Sequence, residues 1–168
     1  ALLVATTSTG NTVVGTTAGD AVTTGSNNVL VGLDAGGAIT TGASNVAVGK
    51  DALLTETVGT NNVAIGAGAL QLQVAAATGN TAVGAFSGDA VTTGVGNTLV
   101  GINSGGALTT GSSNTAIGSS ALLTETTGVN NVAIGLDALT LQVAAASGNT
   151  AVGAFAGDAV TTGIGNTL

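Results

Sequence analysis

Nine side chains in this sequence carry charge, eight acids and the single base Lys50, and their spacing decides what chemistry is open to it. Asp20, Asp89 and Asp158 are evenly spaced, and Glu56 and Glu125 stand the same interval apart. Asp34 and Asp51 are closer in sequence, with Lys50 beside the second. Two carboxylates divide acid and base roles only when they sit within several ångströms of one another. The chain has no His, Cys or Tyr, so an imidazole base, a thiolate and a phenol are all missing. Ser and Thr hydroxyls are plentiful, yet nothing is present to activate them. Gly-rich tracts such as Gly94-Val-Gly96 lack the Lys and the strand-to-helix setting of a phosphate loop. The Gly-Gly-x-Gly-x-Asp calcium repeat of toxin-type solenoids is also missing. Phe86 and Phe155, the only aromatics, are separated by that same long interval and read as wedges in a turn or at a subunit contact. No enzyme activity, cofactor or metal site is expected.

What positions these residues is one short phrase. Asn62-Val-Ala-Ile-Gly66 returns in varied form from Asn11, Asn28, Asn45, Asn80, Asn97, Asn114, Asn131 and Asn149, and is cut off at Asn166-Thr-Leu168. Successive Asn are 17 positions apart, except from Asn62 to Asn80 and from Asn131 to Asn149, where the step is 18. Four steps, as from Asn11 to Asn80, make one 69-residue cycle, and this is the interval at which Asp20, Asp89 and Asp158, the two Glu and the two Phe recur. Asn80–Leu99 and Asn149–Leu168 differ only at Ser87/Ala156 and Val95/Ile164. A fixed short period is the mark of stacked repeats. The expectation is an all-β parallel β-solenoid, or β-roll, of about nine coils and about 43 Å, at about 4.8 Å per coil. Residues 1–168 read as one repeat domain. With no caps, no initiating Met and no signal peptide, they read as an internal piece of a longer fibre. At that pitch, residues one cycle apart lie about 19 Å from each other, well past a Debye length of about 8 Å. The acids are thus spread rather than paired, and Asp34 and Asp51, in adjacent coils, read as a solvated edge in preference to a cation site.

Within each unit the Asn-x-x-x-Gly segment reads as a short strand. Its fourth residue is always β-branched, as in Val14, Val31, Ile65, Val83, Ile117, Ile134 and Val152. Its third, which points the other way, is also apolar, with Ala at Ala64 and Ala133. A strand apolar on both faces is expected to be buried on both, one face filling the coil and the other meeting a second chain. The nine Asn read as a ladder whose amides bond neighbouring coils, and the Gly as a corner of close backbone approach. Between these strands, Ala69-Leu-Gln-Leu-Gln-Val74 alternates, predicting Leu70, Leu72 and Val74 inward with Gln71 and Gln73 outward. Thin coils carrying Gly19, Gly36, Gly88, Gly105 and Gly157 alternate in pairs with thick ones carrying Leu53, Leu70, Leu122 and Leu139. That pattern predicts a corrugated outer surface whose shallow bands lie over the glycines.

Composition narrows the partners. A net charge of −7 with one base excludes nucleic acid and an anionic membrane surface, both of which need clustered Lys or Arg. No apolar run reaches the roughly 18–20 residues of a membrane span. Hydrophobic content of 44% with 5% charge excludes disorder. The lack of Cys accords with an extracellular product that folds without disulfides.

The Asn-Val-Ala-Ile-Gly phrase resembles the Ser-Val-Ala-Ile-Gly repeat of YadA-like trimeric autotransporter adhesin heads. Gly79-Asn-Thr-Ala-Val-Gly84 with Thr92-Thr-Gly94 is similar to repeats of phage and bacterial tail-fibre shafts. The resemblance implies a left-handed β-roll stacked along a homotrimer axis, with an exposed adhesive surface. On that basis the expected function is a non-enzymatic segment of an extracellular, cell-surface or virion fibre. Its partners would be its own copies and a host-surface or matrix glycan or protein. A self-polymerising secreted filament or sheath is the alternative. An ice-binding solenoid and a pectin-cleaving solenoid enzyme come after it, the first for want of an unbroken Thr plane and the second for want of a carboxylate cluster.

Overall fold

The computed structural model describes residues 7–74, 76–143 and 145–168. Nine strands run through it: β1 (Thr12–Val14), β2 (Val29–Val31), β3 (Val46–Val48), β4 (Val63–Ile65), β5 (Thr81–Val83), β6 (Thr98–Val100), β7 (Thr115–Ile117), β8 (Val132–Ile134) and β9 (Thr150–Val152). Each pairs in parallel with the next, so the sheet order is the sequence order. The register places equivalent residues side by side, as in Val63 with Thr81 and Ile65 with Val83. The fold is an all-β parallel β-solenoid of about eight turns, with no helix among the described residues.

The strands are short because the Gly that follows each one cannot continue it. Gly66 has φ +134°, and a Cβ there would lie 2.4 Å from the Gly84 carbonyl oxygen of the next coil. Only a residue without a side chain lets consecutive backbones come that close. The rest of each coil is turn, yet its backbone is bonded to its neighbours as closely as the strands are. The Asp34 N–H donates to Thr16 O at 3.1 Å, Gly19 N–H to Ala35 O at 3.0 Å and Asn27 N–H to Thr9 O at 2.9 Å. Backbone groups are thereby satisfied all round the coil.

The core is one continuous column. Leu30, Ala47, Ala64, Ala82, Leu99, Ala116, Ala133 and Ala151, the middle residues of β2 to β9, are fully buried. Their strand neighbours face outward and are partly exposed, 39% at Ile65 and 60% at Val152. The strands of a single chain are therefore buried on one face, and the β-branched face is open. Leu53, Leu70, Leu122 and Leu139 project into the same interior and are fully buried.

The corrugation is inside the coil, not outside it. A Cβ on Gly36 would meet Leu30 at 2.7 Å, and one on Gly88 would meet Leu99 at 2.6 Å. The large strand side chains Leu30 and Leu99 fill the space that the turn glycines leave, while Ala strands face the turn leucines. Interior volume is thus traded between two sides of each coil. No band over the glycines faces solvent. The Gln and Leu roles are also reversed: Gln73 is fully buried, whereas Leu72 is 50% exposed and Val74 is exposed. Leu70 has φ +49°, a left-handed conformation, so strand alternation does not carry past it.

Candidate functional site

The ladder asparagines have a uniform geometry. Each Oδ1 accepts the backbone N–H of the next ladder Asn, at 2.9 Å from Asn28 to Asn11 and 3.0 Å from Asn131 to Asn114. Each Nδ2 donates to a carbonyl at the end of its own coil, as from Asn45 to Gly59 O at 2.9 Å and from Asn149 to Gly163 O at 2.7 Å. The same amide therefore closes one coil and fastens it to the next. Asn28, Asn45, Asn62, Asn80, Asn97, Asn114, Asn131 and Asn149 are buried, and Asn11, in the first coil, is half-buried. Positive φ belongs to the residue before the ladder position, as at Asn27 and Asn61.

Glu56 and Glu125 have a role that their spacing alone did not disclose. Both are fully buried. Glu56 Oε1 accepts the N–H groups of Thr57, Val58 and Gly59 at 2.7, 2.9 and 2.7 Å. Glu125 Oε1 accepts those of Thr126, Thr127 and Gly128 at 2.8, 2.9 and 2.8 Å. Under a coil of ordinary length, the equivalent donors Thr40, Thr41 and Gly42 all point to one carbonyl of that neighbour, Thr57 O. Glu56 and Glu125 stand where the coil above is one residue longer, and their carboxylates take the place of that carbonyl. The extra residue and the acid at the corner below it form the signal that identifies the pair. Gln73 and Gln142 occupy the same position one coil on, and Gln73 Nε2 donates to Ala77 O at 2.8 Å. Glu56 Oε2, Gln73 Oε1, Glu125 Oε2 and Gln142 Oε1 are buried without a partner among the described residues.

Two features of the surface stand out. One is the outer face of the sheet, where Val14, Val31, Ile65, Val83, Ile117, Ile134 and Val152 form one column and Thr or Val the other. Ala64 and Ala133 are on the opposite, interior side, so a charge placed there enters the core. The second is the turn side. Phe155, Leu141, Thr140, Asp137 and Asp158 line a cavity of about 310 Å³ there, and Phe86, Leu72, Gln71, Gly68 and Asp89 are their counterparts one cycle earlier. Another cavity of about 300 Å³ is lined by Ala145, Ala146, Thr162, Gly163 and Ile164, with no charged side chain among them.

Among the remaining acids, Asp137 and Asp158 share the Phe155 cavity. Lys50 pairs with Asp51, and Thr17 Oγ1 donates to Asp34 Oδ1. Lys50 is largely exposed, so that pair adds little stability. No group of three metal-ligating side chains exists among the described residues. Burial pushes the Asp89 carboxyl above its ordinary range, against the opposing pull of the backbone N–H groups of Asp89 and Ala90. A raised acid pKa leaves stability untouched below the unfolded-state value and lowers it as pH rises through the folded one. Asp89→Asn is thus expected to raise the melting midpoint at pH 7 by about 1–2 °C, a small shift because solvent screens the site. Thermal scans at pH 7 and at about pH 3 check this, and an equal shift at both would show that ionisation is not the cause.

With this geometry in hand, no protein-family model, curated protein or solved structure matches the chain. No helix among the described residues is long and apolar enough to cross a membrane.

Proposed function

We propose that this chain is a non-enzymatic structural segment of an extracellular fibre, the shaft or head of an adhesin or tail fibre, assembled from its own copies. The observation that carries the reading is the open face of the sheet. Two columns of Val, Ile and Thr run across all nine strands with no charged residue among them. An apolar surface of that length is exceptional on a monomer and marks a contact. Its features repeat at the strand spacing of about 4.8 Å, and only a partner of the same pitch stays in register over nine strands. A second copy has that pitch. Homotrimerisation about the fibre axis, the arrangement that the resemblance to trimeric adhesin heads implies, places three such faces together.

The test substitutes Ile65→Lys together with Ile117→Lys on the outer face and follows mass by sedimentation. The expected result is a wild-type chain that self-associates and a variant that is monomeric with an unchanged circular-dichroism spectrum. A wild-type chain that stays monomeric at its highest soluble concentration overturns the proposal. Open-ended growth in place of a discrete trimer would select the alternative, a self-polymerising filament or sheath.

A further inference from the structure

A cavity lies beside Phe155, the repeat-equivalent surface surrounds Phe86, and these two aromatic side chains, the only ones in the sequence, are both held at the surface. Phe86 is 48% exposed and Phe155 53%. Phe86 lies within the stack, with coils on both sides of it, so its exposure does not come from being at an end, whereas Phe155 lies in the last coil described. Both sit at positive φ, +54° and +59°, in a column otherwise filled by Thr17, Asp34, Asp51, Gly68, Asn103, Ser120 and Asp137. A bulky residue is disfavoured there, and its presence at a surface turn points to a use outside the fold. The Phe86 ring lies over Gly68, within 2.8 Å of where a Cβ would be, so the glycine leaves room for it.

What surrounds the rings defines a ligand. Leu141 is 51% exposed and Leu72 50%, each offering an apolar strip beside its ring. Asp137 and Asp158 line the Phe155 cavity, and neither carboxylate has a hydrogen-bond or ion-pair partner among the described residues. No base lines the cavity. Asp89 follows Phe86 by three residues on the same turn, and its backbone oxygen accepts the Leu72 N–H at 3.1 Å. We propose that the Phe155 cavity, and the equivalent surface at Phe86, each take an arginine side chain of a partner polypeptide. The guanidinium plane stacks on the Phe ring, its N–H fork meets the Asp carboxylates, and its methylene stem lies along the Leu. The cavity of about 310 Å³ suits a single side chain. A planar, weakly hydrated cation is favoured over the compact ammonium of lysine at an aromatic face. The Phe155 cavity has two carboxylates, whereas at Phe86 Gly68 stands where Asp137 does, so the first site binds more tightly. The two sites are about 19 Å apart, which an extended peptide crosses in about six residues.

This inference goes beyond the fibre reading and stands whether or not the chain self-associates. The test uses the whole chain and a peptide with two arginines six positions apart in a Gly/Ser background. Its comparison probes are a one-arginine peptide, the same peptides with lysine, the two-site peptide with citrulline (the neutral isostere), and a neutral oligosaccharide. The two-arginine peptide is expected to bind at least about tenfold more tightly than the one-arginine peptide, by linkage of the two sites. Lysine is expected to bind more weakly, and citrulline not at all. Phe86→Ala with Phe155→Ala should remove at least about tenfold of the affinity without moving the melting midpoint or the sedimentation profile. Equal binding of the citrulline peptide, or binding of the oligosaccharide in its place, overturns the proposal. So does dissociation of the assembly by the two Phe substitutions, which would make the two sites subunit contacts. Failure of the wild-type chain to self-associate bears on the fibre reading alone.

Discussion

Glu56→Ala is expected to lower the melting midpoint by on the order of 10 °C, while Glu56→Gln leaves it nearly unchanged. The alanine variant strips the acceptor from three N–H groups at once, those of Thr57, Val58 and Gly59. Each unsatisfied donor costs about 1–3 kcal/mol when water is kept out, and the partial exposure of this corner brings the total to about 2–4 kcal/mol. Glutamine retains the accepting oxygen. Its amide also offers a donor in the region of Gln73 Oε1, which has no partner among the described residues. Thermal denaturation of both variants, with Glu125→Ala as the repeat-equivalent control, checks the difference. Equal destabilisation by Ala and Gln would mean that charge, and not the accepting oxygen, holds the corner together.

The second large effect is expected at the ladder. Asn97 is fully buried, accepts from Asn114 N–H at 3.0 Å and donates to Gly111 O at 2.9 Å. Asn97→Ala leaves both backbone groups unpaired and opens a small void, a loss of about 3–5 kcal/mol. Asn97→Asp keeps an acceptor but sets a buried carboxylate against the Gly111 carbonyl. It is therefore expected to unfold more readily at pH 7 than at about pH 4, where the added acid takes up a proton. Urea denaturation at the two pH values distinguishes these outcomes. A ladder position that tolerated alanine with no change in midpoint would show that the strand ladder alone carries the stack.

The period of Asn and Gly made the solenoid legible, because a phrase that recurs at so short and regular an interval has to stack on itself. The direction of the faces was not legible. Third and fourth strand positions are both apolar, so alternation separates them without saying which is inside. Ala at Ala64 and Ala133 reads equally well as a close contact between chains and as the floor of a narrow core. It is the Leu of the turns, such as Leu70, that settles the matter by filling the interior opposite the small strand residues. Gln73 and Leu72 exchanged places for a related reason. Alternation holds only while the backbone stays extended, and Leu70 leaves that conformation. The acids were seen as a pattern of dispersal. Burial of Glu56 became intelligible only with the longer coil stacked over it.

That longer coil has a consequence for folding. Nearly identical units invite a frame error, in which a coil docks on the wrong neighbour and the chain loops out the units between. A displacement of one coil would put Glu56 under a neighbour that already supplies a carbonyl, and would leave the longer coil over Ile39, which accepts nothing. The N–H groups at that corner would then go unanswered. Displacements of two or three coils fail in the same way, and the first that restores every partner is a full cycle of four. Two acids and two additional residues thus mark the frame of an otherwise degenerate stack. The only silent errors left are those that skip a whole cycle, where the chain entropy of the looped-out segment opposes them most.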